Sequence, residues 1–125
     1  MARLVALSPA EIDARLKDEL PAWSLADGCL QRVYATGGWR PSLMIANAIG
    51  HLAEVAWHHP DLIVTYPSVT VKLVTHDAGG ISDLDFALAA KIEALVAWVP
   101  EAPLPGLPAG ARFEYLKDDE PQSGG

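Results

Sequence analysis

The chain has 125 residues, half of them hydrophobic, which suits one domain with a single modest core. Sixteen acidic against nine basic residues leave a net charge of −7, which argues against direct nucleic-acid binding through phosphates and predicts good solubility. The single cysteine, Cys29, allows no intrachain disulfide, and the apolar run Leu4 to Leu7 is too short for a leader core or a membrane span, so a soluble cytoplasmic protein is expected.

Ser8-Pro9-Ala10-Glu11 reads as a helix start: Ser8 caps, Pro9 suits the first helical position and Glu11 closes a capping box. Ile12, Leu16 and Leu20 recur every fourth residue, and Pro21 stops the helix. Asp27-Gly28 then marks a primed turn between two strand-like runs, Trp23 to Ala26 and Cys29 to Tyr34. That register sets Leu25 opposite Leu30 and puts Trp23 and Tyr34 on one side of the sheet. Cys29 reads as a small apolar strand residue.

Pro41 to Trp57 carries the longest helical pattern, with Ile45, Ile49, Leu52 and Ala56 as its buried stripe. Glu54 falls in the last turns, where a carboxylate opposes the helix dipole, so helix stability does not explain it. Pro60 ends the pattern directly after His58 and His59. Two strands are expected next, Leu62 to Tyr66 and Val69 to His76. In the second, Val69, Val71, Leu73 and Thr75 alternate with a more polar face that ends in His76.

Ser82 is expected to cap a third helix running to Val99, with Asp85 at the third helical position and Leu84, Leu88, Ile92, Leu95 and Val99 as its apolar stripe. From Pro100 four prolines forbid regular helix, Arg112 to Leu116 could form a short strand, and an acidic, Gly-ending terminus follows. The expected division is a domain over 1–99 and a Pro-rich tail over 100–125.

Three of the four histidines thus lie between Glu54 and His76, and imidazole is the side chain that titrates nearest neutral pH. The adjacent rings of His58 and His59 diverge at the proline, which makes them poor joint ligands for one metal, although His58 and His76 could still share one with a carboxylate. No Cys/His spacing of a structural zinc site, serine-nucleophile elbow or phosphate-binding glycine loop is present. Proton transfer without metal, cofactor or covalent intermediate is the chemistry that remains.

The pattern Glu54-x-x-x-His58-His59-Pro60, continued by Tyr66, His76 and Asp85, resembles the pterin-4a-carbinolamine dehydratases over roughly residues 7 to 99. Trp23 also falls where that family carries a tryptophan. The resemblance implies an α+β fold, a four-stranded antiparallel sheet with three helices packed on one face in the order α-β-β-α-β-β-α. It implies removal of water from 4a-hydroxytetrahydrobiopterin in the recycling of that cofactor, with His58, His59 and His76 catalytic. Glu54 would accept hydrogen bonds from the pterin, Trp23 would pack on its bicyclic ring, and Asp85 would complete the substrate contacts by orienting a histidine or the helix start. A homodimer or homotetramer is implied, with no membrane partner. The alternative is a dehydratase-like interaction protein, a transcription-factor dimerisation cofactor or a RuBisCO assembly factor, with the tail as a docking segment.

Overall fold

The structure, a computed structural model, describes residues 4–102, 104–106 and 116. Helix α1 (Pro9–Glu19) begins on the expected capping box: the Ser8 hydroxyl accepts from the Glu11 amide at 3.1 Å, and the Ser8 amide donates to the Glu11 carboxylate at 3.0 Å. Strands β1 (Ser24–Ala26) and β2 (Cys29–Ala35) form the hairpin, and Asp27 and Gly28 both have positive φ, as a primed turn demands. Leu25 pairs with Leu30 in the expected register.

Helix α2 (Trp39–Ala56) leads to β3 (Asp61–Val64) and β4 (Ser68–Leu73), and helix α3 (Asp83–Val96) closes the domain. The four antiparallel strands lie in the order β1-β2-β4-β3, so the two longer strands are central. Leu30, Arg32 and Tyr34 on β2 and Val69, Val71 and Leu73 on β4 point to the buried side, where Ile12, Leu16, Ile45, Ile49, Phe86, Leu88 and Ile92 of the helices meet them. The α+β fold and its element order are therefore as expected.

Several boundaries and stripes differ from the sequence reading. On α2 the buried residues are Ser42, Ile45, Ile49 and Ala53. Ala56 lies in nearly the same angular stripe but is exposed, so the last turn projects beyond the core. On α3 the buried set is Asp85, Phe86, Leu88, Ala89 and Ile92, while Leu95 and Val99 are exposed and the helix stops at Val96. That helix is apolar on several sides, so its sequence offers more than one stripe to choose from. β3 ends at Val64, leaving Tyr66 exposed in the connection, and β4 ends at Leu73. Thr75 then pairs with Gly80 in a single bridge, and His76 opens a 3-10 turn, His76–Ala78.

The expected strand over Arg112 to Leu116 lies outside the described residues, except that Leu116 packs against the core. No helix among the described residues is long and apolar enough to cross a membrane.

Candidate active site at the end of the longest helix

The site begins where α2 stops. Trp57 takes the left-handed conformation, φ 55°, and its amide bonds back to Ala53 and Glu54. For a residue with a Cβ this conformation costs about 1–2 kcal/mol. The reversal sends the two following histidines in opposite directions. His58 turns inward, with its side chain 11% exposed, and its Nε2 lies 2.6 Å from Asp85 Oδ1. His59 turns outward, 51% exposed, and its Nε2 lies 2.9 Å from Glu54 Oε1. The carboxylate that opposes the α2 dipole is thus engaged by an imidazole.

Asp85 comes from the first turn of α3 and is 0% exposed. Its Oδ2 accepts from the Ser82 amide at 2.9 Å, completing the expected capping box, and from the Thr75 hydroxyl at 2.6 Å. The single Thr75 hydroxyl proton goes to Asp85, so at the 2.8 Å contact between the two hydroxyls Ser82 is the donor. With Oδ2 taking two donors, Oδ1 is left to accept from His58 Nε2–H. The neutral ring then carries its proton on Nε2 and leaves Nδ1 as a bare base. Fully satisfied polar groups of this kind hold one arrangement, because every broken bond strands a buried partner.

Thr75 also ties the strand end to the site. The hydrogen-bonded sequence His58–Asp85–Thr75 runs from the end of α2 across α3 to the residue before His76. His76 itself is exposed; its carbonyl accepts from the Gly79 amide at 3.0 Å, and its ring makes no hydrogen bond to the described residues. The structure therefore brings Glu54, His58, His59, Asp85 and the backbone that carries His76 into one region.

Asp85, counted among the substrate-binding residues as one that would orient a histidine or the helix start, is wholly buried with both oxygens occupied; it holds His58 and caps α3. Trp23, expected to pack on a bicyclic ring, is 4% exposed and its indole Nε1 donates to Glu93 Oε1 at 2.9 Å. The same oxygen accepts from Arg32 Nε at 3.0 Å and from the Tyr34 hydroxyl at 2.8 Å, and Arg32 stacks over the Tyr34 ring. Burial alone would raise the Glu93 carboxyl, but the donors from Arg32, Tyr34 and Trp23 outweigh it and hold the group below the usual carboxylate range. Burial, reinforced by the Glu93 carboxylate, pushes the Tyr34 hydroxyl well above its ordinary value.

A cleft of about 440 Å³ lies between α1 and β1, lined by Pro9, Ile12, Leu16, Pro21 and Leu25 and touched by Trp23. Its charged groups, Asp13 and Lys17, already pair with each other at 3.1 Å, and it holds none of the histidines. Among the described residues no three His, Cys, Asp or Glu side chains are grouped to hold a metal ion.

A family model described as pterin 4 alpha carbinolamine dehydratase matches residues 5–95. The chain belongs to this family. A protein of Aquifex aeolicus that bears the provisional name pterin-4-alpha-carbinolamine dehydratase is 42% identical over 90 residues, covering 72% of this chain and 90% of the relative. One of Acidobacterium capsulatum with the same provisional name is 43% identical over 90 residues, covering 72% of this chain and 97% of its own length. A crystal structure from Brucella melitensis, described as a transcriptional coactivator/pterin dehydratase, superposes with a TM-score of 0.65 at 26% identity, covering 72% of this chain and 97% of that one. Membership in the dehydratase family and the fold agree with the resemblance carried by Glu54, His58, His59, Pro60, Tyr66, His76 and Asp85.

Sequence reasoning missed Thr75, whose hydroxyl joins both Asp85 and Ser82, although the Ser82–Asp85 cap itself was legible. It also treated Trp57 only as the end of a helix. The signal available was a tryptophan at the place where helices usually end on glycine or asparagine.

Proposed function

We propose that this chain removes water from a 4a-hydroxytetrahydropterin to give the quinonoid dihydropterin, using His58, His59 and His76. The observation that carries the reading is the 2.6 Å contact of His58 with a buried carboxylate beside the exposed His59–Glu54 pair. A leaving hydroxyl must take up a proton as its bond to the 4a carbon breaks, departing as water, and a ring N–H must give one up. An imidazole fixed by Asp85 with a bare Nδ1 suits one of these transfers, and His76 supplies the other. Glu54 keeps Oε2 for the ring N–H and amino group of the pterin, while His59 holds the ring or takes its proton. Asp85 acts through His58 and does not touch substrate.

The test is direct. With 4a-hydroxytetrahydrobiopterin generated in situ by an aromatic amino acid hydroxylase, the wild-type chain should accelerate dehydration, and His58→Ala or His76→Ala should lower it at least about tenfold. A wild-type rate equal to the spontaneous one removes the reading.

The same proposal includes a cytoplasmic homo-oligomer, a dimer or tetramer, whose catalytic domain ends near residue 99. Exposed Leu43, Met44 and Val55 on the outer side of α2 support a protein partner, whether a second copy or another protein. That surface is also what favours the second reading, an interaction protein of the coactivator or RuBisCO-assembly kind. Retention of a protein partner by a chain that lacks dehydration activity would select it.

A further inference from the structure

We propose that Trp57 is the aromatic contact of the site, the side chain against which a flat bicyclic heterocycle held by Glu54 and His59 stacks. The inference rests on the dehydratase reading and adds a binding residue to it. Trp57 occupies a left-handed position, φ 55°, that glycine or asparagine would fill without strain, and only its backbone amide is needed to close α2. The residue is 74% exposed, so burial does not offset that strain. A strained, exposed tryptophan is an outlier that local folding does not explain, and such outliers gather at functional sites.

Its neighbours point the same way. The indole meets the His59 ring edge-on, with centroids 4.9 Å apart and planes at 84°. His59 in turn contacts Glu54 at 2.9 Å. An acceptor carboxylate, an imidazole and an open aromatic surface therefore share one solvent-facing rim at the end of α2. A planar ring carrying N–H and amino donors needs that combination: edge hydrogen bonds to the carboxylate and stacking on a π-face. Trp23 cannot supply the face, because it is buried with its N–H given to Glu93.

The test uses Trp57→Gly and Trp57→Asn, which both suit a left-handed residue, with Trp57→Phe as the conservative variant. Binding is read with 7,8-dihydrobiopterin as the probe, and turnover with the 4a-hydroxy substrate. Stacking on an aromatic side chain predicts that Kd for the probe and KM both rise about tenfold in the Gly and Asn variants, with kcat falling less, and that Phe recovers most of the loss. The thermal midpoint should hold or rise in the Gly and Asn variants, since the strained residue is gone. Unchanged Kd and KM overturn the inference, as does a change in elution volume with no change in affinity, which would make Trp57 an interface residue. Wild-type protein that binds the probe through Trp57 without turning over substrate sustains the inference while the dehydratase reading falls. Wild-type protein that does not bind the probe overturns the inference itself.

Discussion

Helix α3 carries two carboxylates that each gather several donors, and they face different surroundings. Glu93 sits under the hairpin and receives Trp23, Arg32 and Tyr34, all from β2 or the approach to β1. Asp85 sits at the helix start and receives Thr75, the Ser82 amide and His58. Around Glu93 the donors are an indole, a guanidinium and a phenol, none of which exchanges protons readily near neutrality. Around Asp85 one donor is an imidazole whose second nitrogen is still available, with exposed His59, Glu54 and Trp57 beyond it. One cluster is closed and locks the hairpin to α3; the other opens toward solvent through a titratable ring.

Substitutions should separate the two. The largest effect expected is on activity at the open cluster. His58→Gln keeps a donor for Asp85 but cannot shuttle a proton, so dehydration should fall by about 10²-fold or more while the thermal midpoint changes little. Equal losses of activity and stability would make His58 a structural residue.

Next in size is the closed cluster. Glu93→Ala leaves the Trp23 N–H and the Tyr34 hydroxyl without their acceptor and should lower unfolding free energy by about 2–4 kcal/mol, read by urea denaturation. Turnover per folded molecule should stay near wild type. Asp85→Ala belongs to both clusters in its consequences, since it removes the α3 cap and frees His58. It should lose stability and activity together, where Glu93→Ala loses only the first.

A smaller effect concerns pH. The Glu93 carboxyl titrates below its ordinary value of 4.5 in the folded chain, so its stabilising contribution is fully present above that value and fades as pH falls through the lower folded value. The stability difference between wild type and Glu93→Gln should therefore be flat above about pH 5 and shrink toward more acidic pH. A difference that grows below that point would mean that Glu93 is not the anionic hub of its cluster. The smallest effect is expected at the far end of the chain. Removal of residues 101–125 deletes the contact of Leu116 with the core and should cost about 1 kcal/mol with no change in turnover.

The two clusters also differ in how far the sequence disclosed them. The open one rests on local signals: the histidines abut a proline, Glu54 lies one turn before His58, and Asp85 stands three residues after its capping serine. The hairpin turn was equally plain, because Asp27-Gly28 suits positive φ at both positions. The closed cluster has no such signature. Alternation along β2 does place Arg32 on the side of Leu30 and Tyr34, but a lone arginine reads as exposed until its partner is known, and Glu93 lies 61 residues away on a helix apolar on several sides. That partner also decides the fate of Trp23, whose indole the resemblance placed against a ligand ring. Trp57 was hidden for a different reason: helical periodicity includes it, and only the backbone shows the reversal.

The claim on which the account turns is that Asp85 fixes the tautomer of His58, and nitrogen-15 spectra of the imidazole side chains test it most directly. In the pH range where His58 is neutral, the account predicts a proton on Nε2 and a bare Nδ1. Asp85→Asn, which can turn an amide N–H₂ toward the ring while keeping its oxygen on Ser82, should move that proton to Nδ1. Neutral His58 protonated on Nδ1 in the wild-type chain would contradict the account.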